Sequence, residues 1–301
     1  MELRMDHAAL RAIVDLLPRY AHARRAGWAP APELHGRIAL PEYVLLRRVA
    51  LQLDDTPLTI AELHARLCNP YSTVDPAPDQ LPRLVELGLL RQAGDGYALA
   101  PAGRELLLRA EPAANDYAAA RLRLPPDDLE RLAATMHDIA ERQHRAPEPV
   151  DKAQQDVVPR LRRLDPRRTP PILLEYALYA LQRARDDAHI AAWRAAGFRG
   201  PALELLSRIW AGNAATIAEL AEQTRGRMQL EDVAALLDEL ARDGCVSIQP
   251  PAVTITSRGR DVRDAIERET DRVYFAPWPK IDAGWVRDRL EAVAAALAAS
   301  P

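Results

Sequence analysis

The chain repeats itself. Residues 41–49, PEYVLLRRV, align with 201–209, PALELLSRI, placing Leu45, Leu46, Arg48 and Val49 on Leu205, Leu206, Arg208 and Ile209. Thr59-Ile60-Ala61-Glu62-Leu63 returns unchanged as Thr216-Ile217-Ala218-Glu219-Leu220. LPRLVELGLL (81–90) then parallels AALLDELARDGCV (234–246). YALAPAGRELLLRA (97–110) parallels VTITSRGRDVRDAI (253–266), with Gly103-Arg104 on Gly259-Arg260. A weaker match, Ala26-Gly27-Trp28 with Ala196-Gly197-Phe198, precedes both. The offset drifts from 160 to 157 to 156 residues, which needs only small changes in loop length. Self-similarity of this kind restricts the fold to two copies of one supersecondary unit and the segments that join them.

Each copy reads alike. A first helix (about 41–53; about 201–211) carries apolar residues at three-to-four spacing. Thr59 or Thr216 can N-cap a second helix, with Glu62 or Glu219 three residues on to complete a capping box. A third helix (about 77–87; about 229–242) stops at Gly88 or Gly244, which can take the left-handed conformation past a helix end. Two short β-patterned segments follow, Leu89–Arg91 with Tyr97–Leu99, and Cys245–Ile248 with Val253–Thr256. They are separated by Gly94-Asp95-Gly96 or Pro250-Pro251. Three helices, a strand, a wing and a strand is the winged helix-turn-helix order.

Around the copies, residues 6–26, 127–145, about 171–196, about 260–273 and 283–299 read as further helices, and Pro147 to Pro171 punctuate a linker over 146–171. With 13 glycines, 2 Phe and 8 Tyr in 301 residues, the chain lacks the turn formers and β-formers of an all-β fold. The expected fold is mainly α (α+β): two winged helix-turn-helix units in tandem, forming a pseudo-dimer in one chain. The expected divisions are 1–110 (first helix and first unit), 111–170 (helical linker) and 171–301 (helix, second unit and C-terminal helices). Charges at Glu2, Arg4, Asp6, Arg11 and Asp15 break any signal-peptide core, and no apolar run approaches membrane-spanning length. Cys68 and Cys245 make no disulfide framework. A cytoplasmic protein without membrane association is the expectation.

The second half resembles a bacterial family of winged-helix proteins described as MarR-like regulators, largely without an assigned biochemical activity. The resemblance covers roughly 171–300. It rests on Arg185-Asp186-Asp187-Ala188-His189-Ile190-Ala191-Ala192, Ala196-Gly197-Phe198 and Gly200. It continues through Thr256-Ser257-Arg258-Gly259-Arg260, Ile266-Glu267, Thr270-Asp271-Arg272 and Pro277-Trp278. It implies the winged-helix fold and a regulator's role, and it marks Asp187, His189, Gly259, Thr270, Asp271 and Trp278 as motif positions. It implies no active site.

Charge limits the DNA-binding expectation. Forty basic against 43 acidic residues leave a net charge of −3. The copies themselves are acidic: seven Arg against nine Asp/Glu over 41–109, and seven against ten over 201–266. Affinity for duplex DNA comes largely from Arg and Lys at phosphates. The residues available for such contacts are Arg83 and Arg91 in the first copy, and Arg225, Arg227, Gln229 and Arg242 in the second. A basic run, Arg160, Arg162, Arg163, Arg167 and Arg168, lies in the linker. Its plain alternative is a solvated face paired with Asp and Glu.

Chemical sites are sparse. His137, Glu141 and His144 share one helical side and form a weak metal candidate, with an exposed polar edge as the plain alternative. Asp187 and His189 read as a buried hydrogen-bonded pair locking a helix. His64 could lower the Cys68 thiol pKa, but a packed small hydrophobe is the better reading of Cys68. Trp193 and Trp210 read as core, and Trp278 and Trp285 as clamps of one half on the other. The five tryptophans could alternatively line an effector cavity between the halves. No phosphate loop, GxSxG or HExxH is present, so no cofactor and no enzyme activity are expected. The leading expectation is a DNA-binding transcriptional regulator, effector-responsive in its fuller form. The alternatives are a winged-helix module that binds a protein partner and, more weakly, a metal-dependent helical enzyme.

Overall fold

The computed structural model describes residues 7–26, 38–53, 57–67, 69–74 and 77–299. The fold is mainly helical. The N-terminal segment is two helices, α1 (His7–Val14) and α2 (Leu16–Ala26), separated at Asp15. The first helical unit follows: α3 (Leu40–Gln52), β1 (Leu58–Thr59), α4 (Ile60–Leu67), α5 (Ala77–Glu86), β2 (Leu90–Ala93), β3 (Gly96–Leu99) and α6 (Pro101–Ala119). Then come α7 (Pro126–Arg145), α8 (Val158–Leu164) and α9 (Pro170–Ala195). The second unit comprises α10 (Gly200–Trp210), α11 (Ile217–Gln223), α12 (Leu230–Arg242), β4 (Val246–Gln249), β5 (Ala252–Ile255) and α13 (Ser257–Phe275), and α14 (Ala283–Ala298) ends the described chain. Helices α3, α6, α7, α8, α9 and α10 each carry Pro in their first two positions. There the missing N–H costs nothing and the fixed φ suits the helix.

The two units share their internal bonds. Thr59 and Glu62 bond reciprocally across the start of α4 (Glu62 N to Thr59 Oγ1, 3.2 Å; Thr59 N to Glu62 Oε2, 2.8 Å). Thr216 and Glu219 do the same at α11 (3.2 and 3.1 Å). β2 pairs antiparallel with β3 from Leu90↔Leu99 to Ala93↔Gly96, and β4 with β5 from Val246↔Ile255 to Gln249↔Ala252. A third stretch joins each hairpin, through Thr59↔Gly96 in one unit and Thr216↔Ala252 in the other.

Gly88 and Gly244 end α5 and α12 at φ +69° and +73°, in the left-handed region that favours glycine. The next residues donate back into the helix, Leu89 N to Leu84 O (2.9 Å) and Cys245 N to Leu240 O (2.8 Å). A Cβ on Gly103 would lie 2.2 Å from the Leu89 carbonyl oxygen, and one on Gly259 2.1 Å from that of Cys245. Each glycine therefore lets the helix after the hairpin approach the end of the third helix closely.

Each unit has its own core. Leu46, Val49, Leu63, Leu84 and Leu107 are fully buried in the first, and Leu205, Leu206, Leu220 and Val233 in the second. The largest core belongs to neither hairpin. It gathers α1, α2, α7, α9, the end of α13 and α14 around Ile13, Leu132, Met136, Ile139, Leu181, Tyr274 and Phe275. Helix α9, 26 residues and about 39 Å long at 1.5 Å per residue, is its spine. The linker expected over 146–171 contains a short 3-10 turn (Gln155–Val157) and α8, whose Leu161 packs with Leu51, Ile172 and Tyr176. Pro159 falls at the start of α8, where it nucleates the helix instead of breaking it. Helix α6 runs on past residue 110 and through Pro112.

Candidate nucleic-acid interface

In the second unit, α12 buries Val233, Leu236, Leu237 and Leu240 against α10 and α11. That stripe leaves Gln229, Leu230, Glu231, Ala234, Ala235, Asp238 and Arg242 exposed. Leu230 keeps 57% of its surface in solvent, so the free face of α12 is acidic with one bare leucine. The turn before it is held from inside, where the buried Thr224 donates its hydroxyl to Leu220 O (2.8 Å). Arg225 is exposed and paired with Glu222. Arg227 is half-buried, bonded to Glu204 (3.1 Å) and Gln223 O (3.3 Å). The hairpin tip is Pro250-Pro251 and carries no charge.

In the first unit, Arg83 on α5 is exposed but bridges Glu42 (3.2 Å) and Glu86 (3.1 Å), and Arg91 projects from β2 into solvent. The two units touch through these same turns. Thr73 N and Val74 N both donate to Arg227 O (2.9 and 3.1 Å), and Thr73 Oγ1 donates to Asp232 Oδ2 (2.5 Å).

The linker arginines are dispersed. Arg160 Nη1 donates to Leu51 O (2.8 Å), Arg162 pairs with Glu141 (3.1 Å), and Arg167 holds Asp165 and Asp116 (both 2.7 Å). Arg163 and Arg168 are exposed. The run thus divides between structural bonds and solvent.

Asp187 and His189 do not pair with each other, because residues two apart leave a helix on different sides. Asp187 accepts from Gln154 N (2.9 Å) and Gln155 N (3.0 Å), and burial raises its carboxyl to about 6. His189 faces α13. Its Nδ1 lies 3.1 Å from Thr270 Oγ1 and 3.8 Å from Glu267. Since the Thr270 hydroxyl donates to Ile266 O (2.8 Å), the imidazole supplies the proton between them and carries it on Nδ1. Burial pushes this imidazole down to about 4. Glu267 collects Arg263 and Arg11 (both 2.5 Å) and Arg185 (2.9 Å); burial raises its carboxyl, but Arg263 and Arg185 outweigh it and hold the group at about 2. Asp271 joins through Arg11 (3.1 Å). The hub was legible only as the i,i+4 spacing of Arg263 and Glu267.

A second buried network was not legible at all. Arg47 pairs with Glu111 (2.5 Å), Tyr43 donates to Glu111 (2.9 Å), and Arg24 reaches Glu175 (3.1 Å) and Asn115 (2.8 Å). Asn115 donates on to Asp165 (2.8 Å).

His137 and Glu141 stand 4.0 Å apart, and Glu141 is committed to Arg162. Among the described residues no three His, Cys, Asp or Glu side chains group as metal ligands. The Cys68 reading lies outside the described residues. Trp193 is buried, but Trp210 is 37% exposed, donating to Asp264 (2.9 Å) under the Arg263 guanidinium. The reading of Trp210 as core is corrected: it falls where α10 ends, past its buried stripe. Trp278 packs on Tyr274 and Phe275, and Trp285 lies beside Arg131 and Arg289, so these tryptophans share no cavity with Trp193.

Residues 161–300 match a helix-turn-helix family, just under half of the chain, and a helix-turn-helix domain is present there. No curated protein and no solved structure matches the chain. No described helix is long and apolar enough to cross a membrane.

Proposed function

We propose that the protein is a cytoplasmic, DNA-binding transcriptional regulator built from two winged helix-turn-helix units in tandem, a pseudo-dimer in one chain divided near residues 110 and 170. The observation that carries this reading is the helix-turn-helix family match over 161–300. The resemblance to MarR-like regulators over the same half supports it, as does the recurrence of cap, hairpin and glycine contacts about 156 residues apart. In this reading α5 and α12 are the third helices that enter major grooves. Arg225, Arg242, Arg83 and Arg91 meet phosphates, while Arg227 and Gln229 order the turn and the start of α12. An open cleft of about 540 Å³ between the end of α9, the turn after α12 and α13, lined by Phe198, Val262 and Ile266 together with Asp243, Arg258 and Glu269, is the effector site in this reading.

The test is fluorescence anisotropy with a pool of random-sequence duplexes across a salt series. Binding should weaken steeply with salt, by roughly 0.9 in log–log slope for each phosphate neutralised, and R225A/R242A should flatten the slope by about two such steps. Absence of salt-sensitive binding overturns the reading.

A second reading has its own support. The exposed face of α12, with Glu231, Asp238 and Leu230, suits a basic protein surface better than phosphate. A stoichiometric protein complex weakened by E231K/D238K, with no duplex binding, selects it.

A further inference from the structure

Two helices that read successive major grooves stand about 34 Å apart along the duplex. Here the turn before α5 and the turn before α12 are in hydrogen-bond contact. The Arg227 carbonyl accepts from both Thr73 N and Val74 N, using both lone pairs, and Asp232 in the first turn of α12 accepts the Thr73 hydroxyl. Asp232 also receives Gln229 N (3.3 Å), so the cap of α12 and the first unit converge on one carboxylate. Alongside, Pro70 O sits where a Cβ on Gly200 would be, 1.9 Å away, and Trp193 Nε1 lies 3.4 Å from the Tyr71 hydroxyl. The Arg227 carbonyl and Asp232, at the start of α12, are therefore already engaged while Arg225 and Arg242 stay exposed, and two reading helices joined near their N-terminal turns cannot straddle one helical repeat.

We propose that Thr73 and Val74 form a releasable cap on the helix-turn-helix of the second unit, hinged on Tyr71, which stays packed against Trp193 and Leu203, and that the cap is closed in this structure and displaced when a duplex takes α12. The inference rests on the DNA-binding reading. Its contacts suit release: Thr73 is exposed, and the bonds at its end of the segment are polar and near solvent instead of anchored in a core. Segments of that kind open at a lower free energy than the elements they cover.

Native-state amide exchange and duplex binding test the cap together. In the free protein the Thr73 and Val74 amides should exchange through an opening less costly than that of Leu236 and Leu237 within α12, and a random-sequence duplex pool should abolish their protection. T73V removes the hydroxyl bond alone and T73P also removes an N–H. Because apparent affinity scales with the open fraction, they should tighten duplex binding by roughly threefold and tenfold respectively. The proposal is overturned if residues 73 and 74 exchange only with the core of α12, if they stay protected in the complex, or if both variants bind duplex no tighter than wild type. If no variant binds duplex, the DNA-binding reading fails and, with it, displacement by a duplex. The order of exchange then decides separately whether the segment opens on its own.

Discussion

Around Glu267, three guanidiniums and a neutral imidazole from α1, α9 and α13 meet one carboxylate, and the arrangement gives the fold a defined acid limit. His189 is mostly buried, which holds its imidazole at about 4, below the ordinary value near 6.5. Between those values the unfolded chain takes up the proton and the folded one does not. The His189 contribution is therefore complete above pH 6.5 and declines as pH falls toward 4, by up to about 3 kcal/mol at 1.36 kcal/mol per pKa unit, while Asp187, raised to about 6, works in the opposite direction over nearly the same window. Glu267, held at about 2, continues the decline in the same direction from pH 4.5 downward. Urea denaturation of wild type and H189Q at pH 7, 5.5 and 4.5 should show the wild type losing stability relative to H189Q as pH falls, with the decline owed to Glu267 common to both. Lys152 does a different residue-scale task. Its ammonium donates to Gln143 O, His144 O and Ala146 O (3.2, 2.7 and 2.5 Å), closing the C-terminus of α7.

Local signals were legible at the scale of elements because they act over three or four residues. The Thr-x-x-Glu boxes, the left-handed glycines and the prolines at helix starts each satisfy or spare backbone groups within one turn. T59A and T216A should each cost about 1 kcal/mol in thermal unfolding. Gly103 and Gly259 are more demanding, since a methyl there meets a carbonyl oxygen on another element. G103A and G259A should each destabilise by about 1–3 kcal/mol as the following helix is pushed off its seat, and a melting temperature unchanged in both would refute the shared packing role. In the helical linker, prolines at the starts of α8 and α9 act as helix initiators.

For the molecule as a whole, α9 packs against helices of both units, and within the first unit buried charge joins α3 to α6. Arg47 and Glu111 are both under a tenth exposed and lie 64 residues apart in sequence. E111A leaves the Arg47 guanidinium buried without its carboxylate and should cost about 3–5 kcal/mol, whereas an apolar replacement of the pair, R47M/E111L, should cost much less. A double-mutant cycle in chemical denaturation measures the difference. The N-terminal helices belong to this scale too, since α1 and α2 pack on α14 at the other end of the described chain.

The amino-acid sequence by itself determined the mainly helical fold, the element order, the caps and the turn glycines, because these follow from patterns within a few residues. Tertiary structure alone decided that Asp187 and His189 serve different partners, that Arg47 and Glu111 lock α3 to α6 while the Glu267 hub joins α1, α9 and α13, and that the two turns expected to face DNA face each other. Such contacts join residues tens to hundreds of positions apart, where no local periodicity reaches and only packing selects the partner.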